Sequence, residues 1–155
     1  MILICYDGSP DAKAAIESCA ELFKGQRATV LTVWEPFIEI VTRAYAGYGP
    51  VAGMVDHEEI DKVTREQARQ RAEEGASHAR AAGLEAEPRT SAQQTSVVDA
   101  ILNEADAIGA SAILMGSRGL TGLKSLFLGS VSSGVIHRAD RTVIVVPSPE
   151  VASAR

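Results

Sequence analysis

Ala112 to Val131 reads AILMGSRGLTGLKSLFLGSV, and the reading of the whole chain starts there. The apolar run Ala112 to Met115 is too short for a helix and stops at Gly116, which marks a buried strand. After Ser130 the apolar residues Val131, Val135 and Ile136 return at helical spacing, so Ser130 is a candidate N-cap. A strand thus ends at a glycine that lets backbone approach a ligand, and a helix N-terminus points back at the same place. Such an arrangement builds an anion site.

The spacing is Gly116, two residues, Gly119, nine residues, then Gly129-Ser130. Gly122-Leu123-Lys124 does not complete a Walker loop, and Gly116-Ser117-Arg118 does not open a dinucleotide fingerprint. Phosphates here would be held by a third kind of loop.

Strand signals recur along the chain. Ile2 to Tyr6 is continuously apolar, as in a strand covered on both faces, and ends at Asp7-Gly8-Ser9. Ser9 before Pro10 caps a helix whose Ala12, Ala15, Ile16, Cys19, Ala20 and Phe23 share one face and which Gly25 stops. Ala28 to Trp34 reads as a second strand ended by Glu35-Pro36. Residues 36–55 lack clean periodicity and read as a partly helical flap or an interface segment, either a lid over a ligand or a surface loop. Asp56 to Ala82 is a long helix with a narrow stripe of Ile60, Val63, Gln67, Ala68, Ala72, Ala76 and Ala79, and His57 and His78 belong to its solvated face. Leu84 to Thr90 is a strand, and Pro88 places it at a sheet edge. Ser96 caps an amphipathic helix closed by Gly109. Thr142 to Val146 is the last strand, and 148–155 reads as a frayed tail.

The order is β-α-β-α-β-α-β-α-β, which gives an α/β fold: a five-stranded parallel sheet in the order 3-2-1-4-5 with helices on both faces. Strands 1 and 4 then flank the switch point, where ligands bind outside the carboxyl ends of the strands. The turns at Asp7-Gly8-Ser9 and Gly116 to Gly119 would face one crevice.

Composition bounds the function. At 155 residues the chain is expected to be a single domain over 1–147. A net charge of −5 argues against a nucleic-acid surface. No apolar run reaches the ~18 residues of a membrane span and no leader precedes Ile2, so the expected setting is cytoplasmic. Cys5 and Cys19 are read as buried, reduced thiols rather than a disulfide framework or metal site.

The pattern Gly116-x2-Gly119-x9-Gly129-Ser130 resembles the ATP-binding signature of the universal stress protein family at every fixed position. The likeness extends to Asp7-Gly8-Ser9, Thr32-Val33, Met115 to Gly119, Gly129 to Val131 and Val143 to Pro147. It implies that Asp7 lies near the ribose and phosphates and that the backbone of Val33 meets adenine. It further implies that the loop around Met115, Gly116, Arg118 and Gly119 wraps the phosphates, with Gly129, Ser130 and Val131 closing the site. A homodimer through Val143 to Val146 is also implied. Two departures are visible: Gln93-Gln94-Thr95 where a glycine is common, and Thr32 where a histidine is common.

Chemistry weights these roles differently. Arg118 can grip a phosphate with two donors, whereas Lys124 reads as a surface residue. Asp7 repels phosphate unless Mg²⁺ bridges them or it turns to a ribose hydroxyl; otherwise it is a turn residue bonding its own backbone. No Cys-His or Ser-His-Asp constellation can be placed at the crevice. The expected function is an ATP-binding regulatory or stress-response module with no assigned catalytic residue. The alternatives are a slow Mg²⁺-dependent ATPase or phosphoryl-transfer enzyme, and a ligand-free interaction module.

Overall fold

The computed structural model describes residues 1–44, 57–119 and 128–147. Five strands form one parallel sheet: β1 (Ile2–Cys5), β2 (Arg27–Trp34), β3 (Glu85–Ala92), β4 (Ala112–Gly116) and β5 (Thr142–Val146). Their order is β3-β2-β1-β4-β5, with every neighbouring pair parallel. The expected topology is therefore the observed one. β3 is an edge strand and carries Pro88 opposite Val30, where a residue with no N–H is tolerated.

The helices are α1 (Pro10–Cys19), α2 (Phe37–Ala44), α3 (His57–Ala81), α4 (Val97–Ala107) and α5 (Ser130–Arg138). Alternation along the buried strands sends side chains into two cores. Ile2, Ile4, Val30 and Leu114 pack with Ala12, Ala15 and Ile16 of α1 and Ala76 and Ala79 of α3. Leu3, Leu31, Ile113 and Met115 pack on the opposite face with Ile101 and Ala105 of α4 and Val135 of α5.

Local chemistry sets the helix starts. Ser9 accepts a hydrogen bond from the Ala12 N–H at 3.2 Å, and Ser96 accepts from Asp99 at 3.0 Å, as capping hydroxyls do. α2 begins differently: the Phe37 N–H donates to Asp61 Oδ1 of α3 at 2.7 Å. The helical part expected within 36–55 is thus α2, and 45–55 falls outside the described residues.

α3 lies close to the sheet because its inner stripe is small: Ala68, Ala72, Gly75, Ala76 and Ala79. A Cβ on Gly75 would come within 2.6 Å of Tyr6 Cγ and 2.9 Å of Val30 Cγ1. The expected stripe was too wide, since Val63 and Gln67 are exposed. His57 is also not on a solvated face: it is half-buried, with its ring 5.3 Å from that of Phe37. Among the described residues no helix is long and apolar enough to cross a membrane. The tail expected over 148–155 lies outside the described residues.

Candidate functional site

Because β1 and β4 are adjacent and their connections leave in opposite directions, a crevice opens at their carboxyl ends. The turn after β1 and the loop after β4 meet there. Gly8 turns the chain with φ of +85°, a value that an L side chain resists. Asp7 Oδ1 accepts a hydrogen bond from the Ser9 N–H at 2.9 Å, so the carboxylate does act within its own turn. Its other oxygen faces the second loop: a Cβ on Gly119 would lie 2.7 Å from Asp7 Oδ2.

A cavity of about 200 Å³ occupies this crevice. Asp7, Val33, Met115, Gly116, Arg118, Gly119, Gly129, Ser130 and Val131 all line it, so the structure brings together the nine residues expected to contact a nucleotide. Its apolar wall includes Leu31, Val33, Val97 and Ile101. Val97 and Ile101 lie on the apolar face of α4, and helical periodicity alone does not tell which part of such a face ends at a cavity.

The glycines serve different ends. Gly116 lines the cavity and is also a packing position. A Cβ there would be 2.7 Å from the Asp11 carbonyl carbon, 2.8 Å from the Asp11 Cβ and 2.9 Å from the Ala12 nitrogen. Its missing side chain lets the first turn of α1 lie on the end of β4. Gly129, not Ser130, is the N-cap of α5. Its extended backbone suits that position, while Ser130 is the first helical residue and is exposed. The first-turn amides of α5 have no intrahelical acceptor, as at any helix start.

Three residues that sequence reading passed over hold the loop in place. Asp11, buried in the first turn of α1, accepts from the Ser117 hydroxyl at 2.7 Å and from the Arg118 N–H at 3.1 Å, both on Oδ2. Arg118 Nε lies 3.5 Å from the same oxygen. The Ser117 carbonyl accepts from the Gly129 N–H at 2.8 Å, and the Ser132 hydroxyl lies 2.9 Å from it. The two ends of the loop are thereby tied together across the crevice. The available signal was an acid in the first turn of a helix beside a serine-rich loop, and it also describes ordinary capping.

Cys5 is half-buried and lines the cavity. Burial, with the Asp7 charge adding, pushes its thiol up to about 12, so it is no nucleophile at neutral pH. Tyr6, between the crevice and α3, donates its hydroxyl to Glu74 Oε1 at 3.0 Å, and burial followed by that bond raises its pKa. Leu120 to Phe127, with Gly122 and Lys124, fall outside the described residues.

The model of the universal stress protein family matches residues 1–147. The chain belongs to the universal stress protein family. A Thermus aquaticus member, the universal stress protein in QAH/OAS sulfhydrylase 3'region, is 34% identical over 149 residues, covering 94% of this chain and 96% of that one. Universal stress protein YxiE of Bacillus subtilis (strain 168) is 30% identical over 149 residues, covering 94% and 97%. The fold is shared with MJ0577, at a TM-score of 0.73 and 24% identity with 94% of both chains covered. Universal stress proteins crystallised with nucleotides share it too. One from Archaeoglobus fulgidus holds dAMP (TM-score 0.60, 22% identity, 94% and 95% covered). One from Arabidopsis thaliana holds AMP (TM-score 0.63, 15% identity, 94% and 90% covered), and another is in complex with cAMP (TM-score 0.64, 20% identity, 95% and 96% covered).

Proposed function

We propose that this universal stress protein binds an adenine nucleotide, ATP, in the crevice between β1 and β4, and that occupancy regulates its association with a partner. The carrying observation is the approach of Gly119 to Asp7 Oδ2, 2.7 Å for an added Cβ, which brings two loops from distant parts of the chain to one cavity. Adenine would lie against Val33 and the apolar wall. The phosphates would run toward Gly119, Gly129, Ser130 and Val131, where the first turn of α5 has amides with no intrahelical acceptor and a favourable dipole. Arg118 would add positive charge from the same loop. The nucleotide complexes of the three relatives support this placement of an adenine ligand.

Mg²⁺ fits the donor set in one way. Among the described residues no group of three or more His, Cys, Asp or Glu could hold a metal. Mg²⁺ is, however, commonly held by one or two carboxylates together with substrate phosphates. Asp7 supplies such a carboxylate, and its charge beside phosphate would then be neutralised rather than repulsive. When bound, the ion would screen the triphosphate.

Residues 1–147 would act as one domain, and β5 would pair with a second copy. β5 is an edge strand whose three valines and one isoleucine are only partly covered, and exposed apolar edges demand cover. The nucleotide reading is tested by thermal denaturation with ATP and MgCl₂. Ligand at a hundred times its dissociation constant should stabilise the protein by ~2.7 kcal/mol; an unchanged midpoint at millimolar nucleotide would refute it.

A further inference from the structure

Asp11 is a buried carboxylate on the first turn of α1 that no ligand role requires. Three contacts converge on a single atom of it: the Ser117 hydroxyl at 2.7 Å, the Arg118 N–H at 3.1 Å and Arg118 Nε at 3.5 Å, all at Oδ2. Gly116 makes this possible, because only a residue without Cβ lets α1 come so near β4. Ser117 passes the restraint on, since its carbonyl takes the Gly129 N–H at 2.8 Å and lies 2.9 Å from the Ser132 hydroxyl. One carboxylate oxygen thus fixes the start of the loop and, through Ser117, the start of α5. The apolar wall depends on other elements: Leu31 and Val33 sit on β2, and Val97 and Ile101 on α4.

We infer that Asp11 is a positioning residue that sets the affinity of the cavity for the phosphate part of a nucleotide and leaves the nucleoside part unaffected. The inference rests on the nucleotide reading given above. Two effects of Asp11 on a phosphate oppose each other. Its charge repels the anion and holds the Arg118 guanidinium, whereas its acceptor aligns the amides and the arginine that meet the anion. The second prevails, because a loop that loses its anchor leaves the buried Ser117 hydroxyl and the Arg118 N–H without that partner, and a desolvated donor so stranded is costly.

Charge and acceptor can be separated, since Asparagine places an uncharged oxygen where Oδ2 stands. In calorimetric titrations of the full chain, Asp11→Ala should weaken AMP and ATP by roughly tenfold or more, the equivalent of ~1.4 kcal/mol or more. Adenosine should bind as it does to the wild type. Asp11→Asn should restore AMP and ATP binding. A merely structural role would lower the melting temperature without separating AMP from adenosine. Wild-type affinity for AMP in Asp11→Ala, equal losses for AMP and adenosine, or a loss in Asp11→Asn as large as in Asp11→Ala would each overturn the inference.

Hydrogen exchange of the ligand-free protein supplies the independent arm. Asp11→Ala should speed exchange at Ser117 to Gly119 and Gly129 to Ser132, with β1 protection retained, and Asp11→Asn should not. If the wild type binds neither AMP nor ATP, the nucleotide reading falls and exchange alone judges the anchor: unchanged protection in Asp11→Ala removes it. Should Asp11→Ala fail to fold, Ser117→Ala breaks the same contact from its other end and is read by the same criteria.

Discussion

Replacing Gly116 and Gly119 separately by alanine should have opposite consequences, although they stand three positions apart in one loop. At Gly116 the new Cβ would meet the Asp11 carbonyl carbon at 2.7 Å, the Asp11 Cβ at 2.8 Å and the Ala12 nitrogen at 2.9 Å. These atoms belong to the fixed first turn of α1, so α1 must move off the sheet. Overpacking of this kind costs about 1 to 3 kcal/mol, and two backbone contacts put Gly116→Ala near the upper end, about 3 kcal/mol. For a chain of this size that lowers the melting temperature by roughly 6 to 12 °C. At Gly119 the obstacle under 3 Å is Asp7 Oδ2, at 2.7 Å, the end of a side chain that can rotate away. That rotation breaks the Ser9 N–H bond to Asp7, a loss of about 0.5 to 1.5 kcal/mol. Reduced freedom of the unfolded chain returns about 0.4 to 1 kcal/mol. Gly119→Ala should therefore melt within about 4 °C of the wild type while losing ATP affinity by at least ~tenfold. Scanning calorimetry of the ligand-free variants, followed by ATP titration, checks both. A Gly116→Ala protein that melts with the wild type, or a Gly119→Ala protein that falls as far as Gly116→Ala, would refute the reasoning.

Tyr6→Phe removes the hydroxyl bond to Glu74 and should cost about 0.5 to 1.5 kcal/mol in urea denaturation; the same change in a Glu74→Ala background should cost less, and equal costs would show that the pair is not coupled. Cys5 keeps its proton to about 12 in the folded state, whereas an unfolded thiol releases it near ~8.5. The unfolded state alone gains from ionisation between these values, so stability is retained below that window and is lost as pH rises through it. Urea midpoints at pH 8 and pH 10 should show this fall, and Cys5→Ala should reduce it; an identical fall in the variant would contradict the assignment. Light scattering at micromolar concentration should give a dimer mass for the wild type and a monomer mass for Val145→Lys on β5, and a monomeric wild type would exclude the proposed edge pairing.

Much of this architecture was legible because buried strands, glycine stops and hydroxyl caps write themselves locally. The run Ile2 to Tyr6, the cap at Ser9 and the proline at position 88 mark two strands and an edge, which suit the order β3-β2-β1-β4-β5. The loop part of the cavity lining was legible through the spacing of Gly116, Gly119 and Gly129. What was not legible is long-range. Gly116 lines the cavity, but the reason it must be a glycine is Asp11, far away in sequence, whose atoms stand where a Cβ would be. Asp11 carries no sequence signal beyond being an acid in a first turn, and nothing local reveals that Ser117 and Arg118 fold back onto it. Gly75 was hidden within an alanine-rich helix, and its role depends on the Tyr6 ring lying beneath it. Hydroxyl residues usually cap helices, which favours Ser130, but the cap backbone belongs to Gly129 and the hydroxyl that ties the turn is on Ser132.

The proposed site is tested most directly by titrating isotopically labelled protein with AMP, and separately with ATP and MgCl₂, while following assigned backbone amides. The amides of Gly119, Ser130, Val131 and Val33 should shift together and saturably, with those of β3 unmoved. Saturable shifts confined to another surface, or none at millimolar nucleotide, would contradict the account.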